Sequence, residues 1–269
     1  MSIKLVALDT DGTLLNSQSK ILDSTKKVVA QALAAGVKVV LCSGRPIAGL
    51  APYMAELGIT GDDQYAVTLN GAITRTASGK VQTEDILSHE TYLELTEFAR
   101  AHHTPFNVVA PDSKIITADH DIDFMVYVQA YENTATLYVR QPSELPADFQ
   151  PAKGAFVGTK EQLDQIEPLV RERFDQNNYV VRADDRFLEI MHPNVNKGQG
   201  LRELCQKIGI KPAEVMAVGD AGNDLTMFEF AGVAVAMGNG TPEAKAAADF
   251  VTGSNDADGI AQAFEKFVF

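Results

Sequence analysis

The sequence predicts an α/β protein in which a doubly wound, Rossmann-like parallel sheet is interrupted by an inserted α+β segment. Short apolar runs alternate with helical patterns at both ends of the 269-residue chain, and several of these runs stop abruptly at carboxylates or glycines. Runs without polar alternation are typical of strands buried on both faces of a parallel sheet. The predicted core covers residues 1–83 and 190–269, and residues 84–189 are expected to sit over the strand ends as a cap.

The first predicted strand, Leu5–Leu8, leads directly into Asp9 and Asp11. A spacing of two places both carboxylates on the same side of an extended backbone. Like charges held so close together require a cation or a shared proton. Gly12 then allows a sharp turn. The simpler alternative is an ordinary Asp-Gly turn that closes a strand.

A calcium-binding EF-hand loop does not fit either of the two acidic stretches. Such a loop has glycine at its sixth position and glutamate at its twelfth. Counted from Asp9, these positions hold Leu14 and Lys20. A second acidic run, residues 119–123, has Phe124 at the sixth position. A calcium site is therefore not expected in either stretch.

The remaining elements of the first half follow the same strand–helix alternation. A helix capped by Asp23 or Ser24 is expected to end at Gly36, because its apolar spacing is helical up to that glycine. Further predicted elements are a strand over 37–42, a helix opened by Pro46 and ending near 58, a strand over 66–69, and a hairpin that turns near 77–79. Together these give a β-α-β-α-β beginning.

The insert has shorter strands, and the doubly wound pattern returns after it. Within the insert the predicted helices cover 91–101, 121–131 and 161–174, and the predicted strands cover 106–110, 114–117, 137–140, 154–158, 179–183 and 187–191. In the last part the predicted helices cover 197–208, 223–230, a segment opened by Pro242, and 259–267, and the predicted strands cover 215–218, 233–236 and 250–251.

Composition excludes several classes of function. Lys and Arg number 23 against 36 Asp and Glu, which gives a net charge of -13, so nucleic acid or an anionic membrane is not the expected partner. No apolar run approaches the ~20 residues of a membrane helix, and without a long apolar segment before Asp9 no signal peptide is expected. The two cysteines, Cys42 and Cys205, form no disulfide framework. A reducing compartment is expected, and hence a cytoplasmic location.

Chemically active side chains follow several of the predicted strands. Besides the first strand end, these stretches are Ser43-Gly44-Arg45, Asn70-Gly71 and residues 219–224, and Lys197 begins a helix. In a parallel sheet all such ends lie at one edge. Asp220 and Asp224 bring the number of acids there to four. Clustered oxygen ligands without a pair of histidines point to Mg²⁺ rather than Zn²⁺.

In order and spacing, these stretches resemble the four motifs of the haloacid dehalogenase superfamily. The motifs read Asp9-x-Asp11-Gly12-Thr13, Ser43-Gly44-Arg45, Lys197 and Gly219-Asp220-x-x-Asn223-Asp224. A large insert after the second motif is similar to the cap of the Cof-type phosphatases of that superfamily. Thr10 stands where relatives usually carry an apolar residue, and Ser43 stands where many carry threonine, with the hydroxyl kept in common.

The resemblance implies a role for each motif residue. Asp9 would be the nucleophile that attacks phosphorus, and Asp11 would transfer protons to the leaving alcohol and from water. Mg²⁺ would be held by Asp9, the backbone carbonyl of Asp11, and Asp220. The phosphate would be bound by the Thr10 N–H, Ser43, the Gly44 N–H, Arg45, Lys197 and Asn223. Asp224 and Asn70 would hold these groups in position without binding the phosphate themselves. The side chain of Arg45 is left open between facing the substrate and capping a helix.

We therefore expect a Mg²⁺-dependent phosphatase of small phosphorylated metabolites, with sugar phosphates as the expected substrates and an aspartyl-phosphate as the intermediate. One alternative is a phosphomutase of sugar phosphates, which shares the nucleophile. Another is a non-catalytic sensor of phosphosugars, which the complete set of Asp9, Asp11, Lys197 and Asp220 disfavours. The expected partner is a small phosphate ester, and the chain is expected to be a monomer or a homodimer.

Overall fold

A computed structural model describes residues 2–269, except for the side chain of Asp184. Its strands form two sheets, one of eight strands and one of six. The chain divides into two units. The first unit holds the residues up to Gly44, together with Leu50–Glu84 and Asn196–Phe269, and the second unit holds Arg45–Gly49 and Asp85–Val195.

The first unit is built on the eight-stranded sheet, with strand order β14-β13-β12-β1-β2-β3-β4-β5. Its strands are β1 (Leu5–Leu8), β2 (Lys38–Cys42), β3 (Tyr65–Thr68), β4 (Ile73–Thr76), β5 (Val81–Glu84), β12 (Val215–Gly219), β13 (Val233–Ala236) and β14 (Phe250–Val251). The six strands from β14 to β3 pair in parallel, and β4 and β5 extend the sheet as an antiparallel hairpin. The doubly wound parallel core predicted from the sequence is therefore confirmed.

Strand β1 lies in the middle of this sheet and is buried on both faces. Leu5 and Ala7 pack into a core cluster that includes Leu201 and Leu204 of a helix. The two residues that alternate with Leu5 and Ala7 are also fully buried. This burial explains the apolar run without polar alternation, because neither face of a central parallel strand meets water.

The helices of the first unit largely match the predicted ones. They are α1 (Asp23–Ala34), α2 (Ile47–Glu56, whose first turn belongs to the second unit), α6 (Lys197–Ile208), α7 (Leu225–Phe230), α8 (Pro242–Ala247) and α9 (Gly259–Phe267). The expected cap of α1 was wrong, because Leu22 occupies the N-cap position and has no side-chain hydrogen bond to the helix. The Ser24 hydroxyl instead donates to Asp258, 2.5 Å away.

The second unit has a six-stranded sheet of its own, with order β10-β11-β9-β6-β7-β8. Its strands are β6 (Phe106–Val109), β7 (Ile115–Thr117), β8 (Leu137–Val139), β9 (Lys153–Val157), β10 (Tyr179–Asp184) and β11 (Phe187–Met191). Every pair is antiparallel except β7 with β8.

Three helices complete the second unit: α3 (His89–Ala101), α4 (Phe124–Glu132) and α5 (Lys160–Phe174). Leu95 of α3 and Leu163 of α5 share a core cluster with Phe156 of the sheet. Helix α4 begins later than the predicted residue 121, because the Asp123 side chain accepts the Met125 N–H at 2.8 Å and caps the helix there.

Among residues 2–269, none of the helices combines the length and the apolar character that crossing a bilayer would demand.

Candidate active site

The site is built on the neighbouring ends of β1 and β12. These strands pair in parallel register from Leu5 with Val215 to Leu8 with Val218. The backbone N–H of Asp9 continues this ladder by donating to the Val218 carbonyl at 3.0 Å. Parallel pairing brings both strand ends to one edge, so Asp9 and the residues after Gly219 share that edge.

A buried lysine joins two of the carboxylates at this edge. Lys197 Nζ donates to Asp9 Oδ1 at 2.6 Å and to Asp224 Oδ1 at 2.7 Å. All three side chains are buried, and Lys197 is 1% exposed. Charge-assisted hydrogen bonds of this length are roughly twice as strong as neutral ones.

Lys197 reaches this position because it is the first residue of α6. The start of this helix packs closely against the backbone of neighbouring segments. Asn196 caps the helix, its Oδ1 accepting the Gln199 N–H at 2.8 Å. A Cβ atom on Gly198 would lie 2.0 Å from the Thr226 carbonyl oxygen, and one on Gly71 would lie 2.2 Å from the Asn196 carbonyl oxygen. These two glycines therefore allow the close approach that places the lysine in the cluster.

Asp224 also shapes the loop after β12. Its second oxygen, Oδ2, accepts the N–H of Asp220 at 2.9 Å and that of Ala221 at 3.0 Å. Gly222–Asp224 form a 3₁₀ turn, and α7 begins only at Leu225, so the prediction of one helix over 223–230 was wrong in its first turn. The side-chain hydrogen bonds of Asp224 explain the difference, because they draw the backbone into a tighter turn.

Asp220 completes the group of carboxylates. It lies beside Asp9 and Asp224, and one oxygen atom from each of the three residues lies within 4.8 Å of the others. The Thr13 hydroxyl donates to Asp220 Oδ1 at 2.8 Å. A Cβ atom on Gly12, whose φ is +82°, would lie 2.5 Å from Asp220 Oδ2. Glycine is therefore required at position 12 both by its conformation and by the space that Asp220 occupies.

The electrostatics of the cluster are unbalanced. Burial raises the pKa of Asp9 well above its usual range, the charge of Asp224 adds to that rise, and Lys197 opposes it only in part. Burial also raises the pKa of Asp220. Burial alone would lower the pKa of Lys197, but Asp9 and Asp224 outweigh that effect and raise it. Lys197 is therefore an ammonium. If all three carboxylates are ionised, their negative charge exceeds its single positive charge.

These residues fit a divalent metal ion. With all three carboxylates ionised, one ammonium leaves two negative charges uncompensated, and a cation among the oxygens would offset the charge of Asp224, which adds to the raised pKa of Asp9. Among the described residues no histidine or cysteine joins this group of ligand atoms, and a donor set of carboxylate oxygens suits Mg²⁺. Asp224 is the least suited of the three as a direct ligand, because both of its oxygens already accept hydrogen bonds.

Two further strand ends meet beside the cluster. The Asn70 N–H donates to the Ser43 carbonyl at 2.9 Å, and the Ser43 N–H donates to the Val67 carbonyl at 2.9 Å. Asn70 has a left-handed φ of 58°, a conformation that asparagine tolerates better than most residues. A Cβ atom on Gly44 would lie 3.1 Å from Asn70 Oδ1. The Ser43–Gly44 and Asn70 loops are thus held together.

The structure places the other predicted site residues in different surroundings. The side chains of Asp11 and Asn223 are exposed, whereas Thr10 is fully buried and its hydroxyl has no hydrogen-bond partner among the described residues. Arg45 belongs to the second unit, where its Nη1 donates to the Glu132 carbonyl at 2.8 Å. The roles assigned to these four residues stay predictions.

Two asparagines were missed as site residues. Asn239 Nδ2 donates to the Gly12 carbonyl, and Asn255 Nδ2 donates to the Leu15 carbonyl, both at 2.8 Å. The Asn255 N–H also donates to Asn239 Oδ1 at 2.9 Å. Both residues therefore hold the loop after Asp11 from one side. Asn239 follows strand β13, so the strand-end argument applied to the other loops could have found it.

The chain is similar to known proteins over almost its full length. A family model described as haloacid dehalogenase-like hydrolase matches residues 6–264. YxeH of Bacillus subtilis (strain 168), which carries a provisional phosphatase name, is 36% identical over 266 residues, covering 98% of each chain.

Solved structures of haloacid dehalogenase-like proteins are also similar to the chain over almost its full length. A haloacid dehalogenase-like hydrolase from Bacteroides thetaiotaomicron superposes with a TM-score of 0.90 at 32% identity, covering 98% of this chain and 99% of that one. The structure of BT4131, named a sugar phosphatase of subclass IIB of the superfamily, gives a TM-score of 0.78 at 25% identity and covers 98% of both chains.

Proposed function

The chain belongs to the haloacid dehalogenase-like hydrolase family and is a phosphatase, and from that premise we propose that it hydrolyses small sugar phosphates with Mg²⁺ and Asp9 as the nucleophile. The observation that carries the proposal is the contact of one buried ammonium, that of Lys197, with Asp9 and Asp224 next to Asp220. Phosphoryl transfer depends mainly on positioning and on charge neutralisation, and this cluster supplies both.

The first half of the reaction forms a phosphoenzyme. A carboxylate oxygen of Asp9 bonds to phosphorus while the ester P–O bond breaks, and Asp11 gives its proton to the departing alkoxide. Lys197 fixes the Asp9 carboxylate through Oδ1 and balances charge near the phosphoryl oxygens. The exposed position of Asp11, two residues further on, supports a role in exchanging protons with a leaving group and with water.

The second half returns the enzyme to its starting state. Water attacks phosphorus of the aspartyl-phosphate, its proton passes to Asp11, and the Asp9–phosphorus bond breaks to release inorganic phosphate. Ser43, the N–H groups of Thr10 and Gly44, and Asn223 are proposed to hold the phosphoryl oxygens during both halves.

The metal ion is proposed to be held by Asp9, Asp220 and the backbone carbonyl of Asp11. When bound, Mg²⁺ would supply positive charge that allows the anionic nucleophile and the anionic phosphate to approach each other. Thr13 orients Asp220 for this role through its hydrogen bond, and Asp224 and Asn70 steady Lys197 and the Ser43–Gly44 loop.

Sugar phosphates are proposed as substrates because BT4131, a protein named as a sugar phosphatase, shares the fold over 98% of both chains. Residues 84–189 are proposed to select the substrate, since the roles proposed for the cluster involve only the phosphate group and its ester oxygen. The two free, buried cysteines are in keeping with a reducing cytoplasm, where we place the enzyme.

A panel of phosphorylated metabolites tests this proposal. We expect release of inorganic phosphate from one or more sugar phosphates in the presence of Mg²⁺, and none with Asp9→Asn as the matched control. An isomerised sugar phosphate without free phosphate would instead identify a phosphomutase. Tight binding of a phosphosugar without any turnover would identify a sensor, and either result would overturn the proposal.

A further inference from the structure

The segment that follows the Ser43–Gly44 loop contacts the insert at several points. Residues Arg45–Gly49 group with Asp85–Val195, although Gly44 before them and Leu50–Glu84 after them belong to the first unit. We refer to Arg45–Gly49 as the docking arm. It contains the first turn of α2, which begins at Ile47.

The docking arm and the insert each supply a hydrogen-bonding group to the end of a helix in the other. The first N–H groups of a helix have no partner within the helix, nor do the last carbonyls. Gly44, Arg45 and Pro46 carry no side-chain acceptor that could cap α2. Ser113 of the insert supplies one, because its Oγ accepts the Ala48 N–H at 3.2 Å.

The reverse contact lies at the other helix. Arg45 Nη1 donates to the carbonyl of Glu132, the last residue of α4, at 2.8 Å. A guanidinium at a helix C-terminus also interacts favourably with the negative end of the helix dipole. Arg45 therefore caps a helix of the insert, which is one of the two roles that the sequence had left open for it.

A third contact depends on the absence of a side chain. A Cβ atom on Gly49 would lie 2.8 Å from Asn133 Oδ1 and 3.3 Å from Asn133 Cα. Asn133 is the C-cap of α4, and its Nδ2 donates to the Gln129 carbonyl at 2.7 Å. The arm thus packs closely against the same end of α4 that Arg45 caps.

We propose that the docking arm couples the Ser43–Gly44 loop to the insert, so that Ser113 and Asn133 are positioning residues for the phosphate group of the substrate. The inference rests on the proposed function only in giving Ser43 and Gly44 a phosphate to hold. Its physical basis is chain continuity: Arg45 follows Gly44 directly, so loosening the arm frees the loop that precedes it. Ser113 lies in the insert and takes no part in the chemistry.

Ser113→Gly is the sharpest test, because it separates positioning from folding. Ser113 has a φ of 71°, a conformation that glycine adopts more readily than serine. The substitution therefore removes the hydroxyl without adding backbone strain, and we expect little change in Tm. Loss of one hydrogen bond from the arm should raise the KM for p-nitrophenyl phosphate and the inhibition constant of inorganic phosphate by about 2–10-fold, with a smaller effect on kcat.

Hydrogen exchange reports on the arm without any reference to catalysis. The amides of Ser43, Gly44 and Arg45 should exchange faster in Ser113→Gly than in the wild type, because their segment opens more readily. Gly49→Ala, which forces the arm away from Asn133, should act in the same direction. Thr96→Ala is the matched control, since it removes a buried hydroxyl of the insert that donates to Tyr92 at 2.9 Å. It should lower Tm and leave exchange at residues 43–45 unchanged.

The two failures remain distinguishable. If Ser113→Gly and Gly49→Ala both leave exchange at residues 43–45 at the wild-type rate, the coupling is wrong, whatever the enzyme does. If exchange rises while the phosphate inhibition constant stays unchanged, the loop is coupled to the insert but does not hold the phosphate, and the positioning role is overturned. A wild-type protein that hydrolyses no phosphate ester at all contradicts the proposed function instead.

Discussion

Lys197 is an ammonium that is 1% exposed among three carboxylates. Removing one member of a buried ionic group generally costs more than the group contributes as a whole, because the remaining charges stay buried without compensation. Asp9 is the residue most affected, since burial already raises its pKa and Lys197 is the main influence that lowers it. The charge of Lys197 is thus needed for the fold, apart from the role proposed for it in the chemistry.

Lys197→Met should therefore destabilise the protein in a pH-dependent way. Without the ammonium, the pKa of Asp9 in the folded state rises further above its unfolded value of about 3.9. A carboxyl with a raised folded pKa lowers stability as the pH increases from the unfolded to the folded pKa. The variant should be closest to the wild type near pH ~4 and fall about 3–5 kcal/mol behind at neutral pH.

The measurement is urea denaturation at several pH values in excess EDTA. Lys207→Met is the control, because Lys207 lies on the same helix but is exposed, and its Nζ donates to the Gln82 carbonyl. A Lys197→Met variant whose loss of stability is the same at pH ~4 and at neutral pH would contradict the assigned charges.

Thr10 and Thr13 form a natural pair for a second prediction. Both are buried, but the Thr13 hydroxyl donates to Asp220, while the Thr10 hydroxyl has no partner in the part of the chain that the structure describes. Thr10→Val should keep activity and raise the free energy of unfolding by up to about 1 kcal/mol, because it removes an unsatisfied polar group. Thr13→Val should cost about 1.5–3 kcal/mol, the range for a hydrogen bond to a charged group, and should weaken Mg²⁺-dependent activity.

Thermal unfolding and steady-state kinetics with Mg²⁺ titration compare the two valine variants directly. Equal loss of activity in both would show that the Thr10 hydroxyl, and not only its backbone N–H, takes part in the reaction.

Residue identity and order made the charged cluster predictable, whereas hydrogen-bond partners were not. The acids and the lysine stood at strand ends or a helix start, and topology alone brings such positions together. That Asp224 would bind Lys197 with one oxygen and two backbone N–H groups with the other depends on the exact path of residues 220–224. No periodicity in the sequence encodes that path.

At the level of elements, the strand ends and Lys197 form one cluster only because α6 packs close to the strand ends. Gly71 has a φ of +105°, and a Cβ atom there would overlap the carbonyl of Asn196, the cap of α6. Gly36 also has a positive φ, of +82°, but has no atom within 4 Å of its Cβ position. Alanine substitution at these two positions therefore distinguishes a steric clash with a neighbouring backbone from conformational strain alone.

Gly71→Ala should therefore reduce both stability and turnover, whereas Gly36→Ala should cost only about 1–2 kcal/mol of strain. In Gly71→Ala the N-terminus of α6 must shift, and Lys197 shifts with it, so kcat should fall at least about tenfold for a displacement near 1 Å. Thermal unfolding and kcat are the measurements. A Gly71→Ala enzyme with normal kcat would contradict the placement of Lys197 by this contact.

The elements themselves were largely predictable, because apolar runs and helical periodicity are local signals. Departures occurred where a side chain redirected the backbone, as with Asp123 at the start of α4 and Asp224 before α7. The position of β1 between β12 and β2 depends on pairing across more than 200 residues, for which the sequence carries no local signal. The capping of α2 by Ser113 is likewise invisible without the fold.

For the whole molecule, an overall charge of -13 and an acidic sheet edge predict that a cation, once bound, would stabilise the fold. A ligand that binds only the folded state raises the free energy of unfolding, by about 2.7 kcal/mol at a concentration of 100 times Kd. Mg²⁺ should therefore raise Tm, and a chelator should reverse the rise and abolish phosphate release.

Asp220→Asn should remove most of this rise in Tm. Asp256→Asn should retain it, because Asp256 is an exposed acid that accepts hydrogen bonds from Ser17. Differential scanning fluorimetry with Mg²⁺ titration is the measurement. A full rise in Tm in Asp220→Asn would place the metal ion elsewhere.

The central claim is that Asp9 carries the phosphoryl group, and single-turnover kinetics with acid quenching of ³²P-labelled substrate test it most directly. Asp11→Asn keeps the backbone carbonyl but loses the proton carrier, so it should turn over about 10²–10⁴-fold more slowly and accumulate labelled protein with an activated ester such as p-nitrophenyl phosphate. Asp9→Asn lacks the attacking carboxylate and should trap no label. Label that accumulates on Asp9→Asn, or its absence from Asp11→Asn during turnover, would contradict the account.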